Sequence, residues 1–194
     1  MTRLLEPLDA VLNGVTMYRA TLYALFGIWL VALAEAALGV LPFGPVEMVA
    51  SLAFLGGVAF LTNALFARVF RVPSNGESVY ITVLILALII SPPDAFDFAA
   101  YLPLGAWAAV LAMASKYIVA YRHKHVFNPA ALAVLLTALA LDQTASWWVG
   151  TAWLVVPTLL GGLFVARELR RLDLVFAFLV VTRSEEHTSE LQSH

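Results

Sequence analysis

Apolar positions in this chain form long unbroken runs separated by short polar breaks, and the run lengths carry most of the fold. Ala20 to Leu41 is a mostly apolar run of 22 residues, about 33 Å as an α-helix against a hydrocarbon core of about 30 Å. Pro42-Phe43-Gly44-Pro45 reads as a tight turn, after which Val46 to Ala67 supplies a second crossing that ends at Arg68 and Arg71. Val79 to Ser91 has only 13 residues before Pro92-Pro93, about 20 Å of helix, which is too short to span and predicts a half-helix. Phe98 to Ile118 is a full crossing, and Pro129 to Leu141 is a second short run. Trp147 to Ala166 reads as a further crossing, with two tryptophans suited to the headgroup boundary and Arg167, Arg170 and Arg171 closing it. Leu172 to Thr182 begins one more helix. Ahead of these runs, Leu4, Leu5, Leu8, Val11, Leu12 and Val15 recur at three- and four-residue spacings, as in an amphipathic helix lying on the membrane surface. The pattern predicts an all-α fold: a polytopic transmembrane helix bundle with two short half-helices, about six to seven membrane segments and a single membrane domain over 1–182.

Composition agrees with the runs. Hydrophobic residues make up 62% of the chain and charged residues 12%, whereas a soluble domain carries about a quarter charged residues. The placement of charge adds orientation, because positive residues are retained in cytoplasmic loops. If each run is one crossing, Arg3, Arg19, Arg68, Arg71, Lys116, Arg122, Lys124, Arg167, Arg170 and Arg171 all fall on one side, and loops 42–46, 91–97 and 142–146 contain no Lys or Arg. A cytoplasmic N-terminus follows, with both short runs entering from that side. The location expected is a bacterial cytoplasmic (inner) membrane.

From Arg183 the chain switches to a polar string ending at His194, attached in the middle of an apolar run. The string resembles the in-frame translation of a DNA-sequencing adapter, so 183–194 is expected to be non-native and the native chain to continue past Thr182. Removing it leaves ten basic and ten acidic residues, so the formal charge of -2 comes from this segment. No nucleic-acid partner is implied.

The candidate chemistry lies where the two short runs begin. Each follows a basic connection and a polar group containing Asn: Arg71-Val-Pro-Ser-Asn-Gly-Glu-Ser78 and Arg122-His-Lys-His-Val-Phe-Asn-Pro129. Paired short helices in corresponding positions are a pointer to a ligand site. Asn128 can cap a helix that starts with Pro129, and the N–H groups of the first turn then face an electron-rich ligand or simply start a helix. Ser78, ahead of Tyr80 and Thr82, carries the same two readings. His123 and His125 have no carboxylate nearby and read as solvated loop histidines, so no metal site is expected. Glu35 is an ionisable group inside the first crossing and is expected either to serve function or to pair with a helix beyond residue 182. Gly56-Gly57 and Gly161-Gly162 read as close helix-packing points. With no cysteine present, disulfides, thiolate zinc and iron–sulfur ligation are excluded from this chain. No Walker loop, dinucleotide fingerprint or catalytic triad spacing occurs, and no catalytic residue is expected.

The blocks Ser78-Val-Tyr-Ile-Thr-Val-Leu-Ile-Leu-Ala-Leu-Ile-Ile-Ser-Pro-Pro93, Ser115-Lys-Tyr117 and Lys124-His-Val-Phe-Asn-Pro-Ala-Ala131 resemble the D-type membrane subunit of the Rnf-type electron transport complex. They are also similar to the B-type membrane subunit of the sodium-translocating NADH:quinone reductase, and the likeness covers most of residues 18–182. The resemblance implies a short, C-terminally truncated member of a flavin-dependent electron-transport (oxidoreductase) complex that couples electron flow to sodium or proton movement. It implies a flavin (FMN or riboflavin), membrane lipid, and partner subunits that include iron–sulfur or flavin reductase proteins. In that family a flavin is attached to a Thr in a Ser-Gly-Ala-Thr-like sequence. This chain has Asp142-Gln-Thr-Ala-Ser-Trp-Trp-Val-Gly-Thr151 instead, so no attachment residue carries over. The cofactor-binding residues expected are Asn128, Lys116, Tyr117 and Ser78, as hydrogen-bond donors to the flavin's pyrimidine edge. A transporter or channel without redox chemistry, and a membrane anchor for a soluble reductase, are the alternative functions.

Overall fold

The computed structural model describes residues 16–73, 76–93, 97–121, 124–141, 148 and 151–168, with 173, 175 and 177. The amphipathic segment 4–15, His123, the 142–147 loop, nearly all of 172–182 and the tail 183–194 lie outside the described residues.

Each apolar run becomes a helix whose limits are set by its ends. α1 spans Met17–Ala37 and starts three residues ahead of the apolar run, because Thr16 accepts a hydrogen bond from the Arg19 N–H at 3.5 Å and brings the polar first turn into the helix. It closes at Gly39, whose φ of +72° suits a residue without Cβ. α2 spans Pro45–Phe70, with Pro45 at a first-turn position where the missing N–H costs nothing and Glu47 at the positive end of the helix. Arg71 ends it in the left-handed region (φ 55°), its N–H returning to carbonyls of the last turn. α3 covers Gly76–Ile89 and stops before Pro92-Pro93. α4 is Phe98–Ile118 and continues through Pro103, which gives up only the bond to Ala99. Ala120–Tyr121 (β1) and Lys124–His125 (β2) form a short antiparallel ladder, and α5 is Pro129–Leu141.

The run from Trp147 to Ala166 does not form one helix of crossing length. Thr151 is extended, Ala152–Leu154 is a 3-10 turn, and α6 begins only at Val155 and ends at Glu168. Pro157 falls in the first turn of α6, where its missing N–H has no intrahelical bond to lose. The 14 residues of α6 measure about 21 Å.

Three helices, α1, α2 and α4, are long and apolar enough to cross a membrane, and the shorter apolar helices flank or fill the spaces between them. The packing order is α6, α1, α3, α2, α4, α5, each against the next. α3 sits between α1 and α2 with Val79 and Leu86 fully buried. A helix too short to span is thus the most enclosed element among the described residues. Only 28%, 22% and 39% of the apolar windows of α1, α2 and α4 are buried inside the bundle. The remainder, including Tyr23, Phe26, Leu30, Leu61, Leu65 and Val69, faces outward. In water that would be an apolar surface far larger than a soluble monomer exposes, whereas in hydrocarbon it is solvated.

Small residues set the closest helix approaches, although not all at the expected places. A Cβ on Gly161 would come within 3.3 Å of Ile28 on α1, so this glycine is a contact point. The expectation for its neighbours is corrected: Gly57 and Gly162 have nothing within 4 Å, and a Cβ on Gly56 would meet only Val83 at 3.9 Å. The tight position is Gly105 on α4, where a Cβ would lie 3.2 Å from both the Phe54 and Tyr101 rings.

Candidate functional site

The most consequential side chain at the start of α3 comes from another helix. Lys116, in the last turn of α4, is only 9% exposed. Its ammonium donates to the Ser78 carbonyl oxygen at 2.8 Å and to Ser78 Oγ at 3.0 Å, across 38 residues of chain. The Ser78 carbonyl also accepts from Thr82 Oγ1 at 2.8 Å. Burying a charge is expensive unless hydrogen bonds and an opposite charge compensate it. Here the hydrogen bonds are supplied by Ser78, but among the described residues no carboxylate pairs with Lys116. The C-terminal end of α4 favours the cation, while the N-terminal end of α3 opposes it, each by about 0.3–1 kcal/mol. The net result is a buried positive centre that a negatively charged or electron-rich group would complete.

Tyr117 points to a different partner. Its hydroxyl donates to Asn63 Oδ1 at 2.7 Å and reaches the Asn63 carbonyl oxygen at 3.3 Å, which ties α4 to α2. Beside this pair, Phe66, Phe70 and Tyr117 pack as a near-parallel trio. Their centroids lie 5.7 to 6.0 Å apart and their planes 10 to 32° apart. Phe70 is half-exposed, which leaves the trio accessible from outside the bundle. Asn63, Phe66 and Phe70 fall at i, i+3 and i+7 of α2 and so share a face. Sequence reasoning missed all three. The signal available was Asn63 itself, an amide inside an apolar crossing, about two turns before its end.

Asn128 stands outside this hydrogen-bonded group. Its Oδ1 accepts from the Ala130 N–H at 3.0 Å and the Ala131 N–H at 3.4 Å, so the side chain caps α5. The helix-start reading of Asn128-Pro129 therefore describes its carbonyl oxygen, and only the amide nitrogen is outside the cap. Asn128→Ala is expected to lower thermal stability by about 1 kcal/mol, whereas Asn128→Asp, which keeps the capping oxygen, retains it. Unfolding curves of the two variants check this.

The same contacts fix which helix ends lie together. Arg19 Nε meets Glu77 Oε1 at 3.0 Å, joining the starts of α1 and α3. With Lys116 on Ser78 and Tyr117 on Asn63, the ends of α4 and α2 join them. Arg19, Arg68, Arg71 and Lys116 thus lie toward one end of the bundle. Glu35 lies in the last turn of α1, at the helix end opposite Arg19. Its Oε2 is buried with no hydrogen-bond partner among the described residues.

Comparison of the chain with protein-family models, with curated proteins and with solved structures finds no match in any of the three.

Proposed function

We propose that this chain is a membrane subunit of a flavin-dependent electron-transport complex, of the kind found in the Rnf complex and in the sodium-translocating NADH:quinone reductase. In this reading it has six to seven membrane segments in a bacterial inner membrane, its basic end is cytoplasmic, and partner subunits carrying iron–sulfur or flavin centres dock there. Coupling to sodium or proton movement belongs to the same reading.

The observation that carries it is the buried Lys116 ammonium, held by Ser78 and lacking a carboxylate among the described residues. The donor chemistry fits a flavin. A cation suits the electron-rich pyrimidine edge, and the Phe66–Phe70–Tyr117 trio offers near-parallel aromatic faces to a planar ring system. When bound, the flavin supplies reversible electron transfer. Ser78 fixes the ammonium through two hydrogen bonds, Lys116 places positive charge where negative charge would accumulate, and Asn63 holds the Tyr117 ring.

The test is the visible spectrum of the full-length protein purified with its partner subunits. Flavin absorbance at a fixed ratio to protein is expected, and its absence would remove the reading. Orientation has its own check, made simple by the absence of native cysteine. Cysteine at exposed Val72 is expected to react with a membrane-impermeant thiol reagent only from the cytoplasmic face, and cysteine at exposed Leu38 only from the opposite face. Labelling of both from one side would reject the alternation of crossings.

A further inference from the structure

Among the described residues, the buried side-chain polar atoms without a hydrogen-bond partner are Glu35 Oε2, Trp148 Nε1, Thr151 Oγ1 and Thr158 Oγ1. They fall along one seam, between α1 and the segment that leads into α6. Ala24, Ile28, Val31 and Glu35 follow one another at helical spacing and share a face of α1. A Cβ on Gly161 would lie 3.3 Å from Ile28 and 3.6 Å from Ala24, while Val31 borders Val156 and Pro157. The two helices therefore run antiparallel, and one turn beyond Val31 brings Glu35 level with the 3-10 turn that follows Thr151. Leu154, Thr158 and Gly161 form the facing stripe, with Leu154 fully buried. Trp148 closes the seam at its end, edge to face with Phe43 at 5.0 Å.

Unpaired polar atoms are not the habit of this chain. Thr21, Thr82 and Thr137 each donate their hydroxyl to a carbonyl of their own helix, whereas Thr158 does not. Buried polar groups are normally paired, so a file of unpaired ones points to water or an ion that enters the seam. Charge points the same way. Glu35 has no ion pair among the described residues, and neither the turn that follows it, 38–46, nor the segment that faces it, 148–158, contains Lys or Arg. Room to open exists as well: among the described residues α6 packs chiefly on α1, and beside that contact lies a groove of about 430 Å³ bordered by Gly27, Val31, Pro157 and Phe164. Thr151–Leu154 is not α-helical, and such backbone at membrane depth is tolerated where it is buried in protein or lines a water-filled space.

We propose that the seam between α1 and α6 is a gated aqueous path, which opens at the face opposite Arg19 and admits water and a small cation to Glu35. Closed, the seam leaves its polar atoms unpaired; open, water pairs with each of them, so hydration itself favours the opening. Glu35 supplies the negative charge, and Thr151 and Thr158 supply hydroxyl oxygens to a cation that takes oxygen ligands. The path uses neither the Ser78–Lys116 pair nor the aromatic trio, so it goes beyond the flavin reading and stands or falls without it.

The chain's lack of cysteine makes accessibility the test. Single cysteines are placed in the full-length protein in proteoliposomes and exposed to membrane-impermeant methanethiosulfonates of positive or negative charge. The reactive species is the thiolate, which apolar surroundings suppress, so Thr158→Cys should react roughly tenfold faster than either control. One control is Thr137→Cys, buried and with its native hydroxyl already paired; the other is Leu159→Cys, exposed to the bundle's surroundings. Labelling should come from the side that labels cysteine at Leu38. The positive reagent should lead the negative one by roughly tenfold, and Glu35→Gln should erase that lead. Thr151→Cys gives the same readings nearer the mouth, so a folding defect in Thr158→Cys does not decide the matter. Labelling of both seam cysteines no faster than Thr137→Cys, or a reagent preference that survives Glu35→Gln, would overturn the proposal.

Discussion

On the proposed flavin reading, Lys116→Met should weaken flavin binding by at least tenfold while leaving the helical fold intact. The size follows from the loss of a hydrogen bond to a charged group, about 1.5–3 kcal/mol. The fold survives because an apolar side chain of similar length removes the cost of burying a charge that no carboxylate compensates among the described residues. Ser78 is not stranded by the change, since its carbonyl keeps the bond from Thr82 at 2.8 Å. The measurement is the visible spectrum of each purified protein alongside its thermal unfolding by circular dichroism. Full flavin content in the Lys116→Met variant would show that Lys116 serves packing alone. Lys116→Arg is not a silent control, because a planar fork cannot reproduce the compact ammonium held between Ser78 O and Oγ.

Gly105→Leu should be the most damaging change to the fold itself. The Cβ alone would come 3.2 Å from the rings of Phe54 and Tyr101, and the rest of the side chain has to displace them. Tyr101 is held by a buried hydrogen bond with Ser51, which would break if the ring moved. Overpacking of this kind costs about 1–3 kcal/mol and the lost hydrogen bond about 1 kcal/mol more. The contrast is Gly57→Ala, which enters open space in a helix interior and is expected to gain about 1 kcal/mol from helix propensity. Unfolding midpoints of the two variants in one detergent decide the matter. Equal stability would mean that α2 and α4 do not meet at Gly105.

Helix limits were legible where a local rule acted alone. Phe98–Ile118 and Pro129–Leu141 follow directly from the apolar runs and from Asn128-Pro129 at the start of α5. The run after Trp147 misled because Thr151 is extended and Ala152–Leu154 forms a 3-10 turn, changes of backbone that hydrophobicity does not register. Glycine pairs misled for a related reason. Gly56-Gly57 and Gly161-Gly162 look alike in sequence, yet only Gly161 meets a neighbouring helix closely, because contact depends on which face another helix covers. The likeness of the Ser78, Lys116–Tyr117 and Asn128 blocks to known families named residues without giving their distances. In three dimensions Lys116 bonds Ser78, Tyr117 bonds Asn63, and Asn128 caps its own helix.

What the chain determined by itself are properties that need no neighbour: the length of an apolar run, its capping, and the sign of charge between runs. Only packing decided that the short α3 is the enclosed centre, that a lysine is buried against it, and that Asn63 belongs with Tyr117. Those partners stand 38 and 54 residues apart, and the hydrogen bonds between them exist only once separate helices lie side by side and exclude competing water.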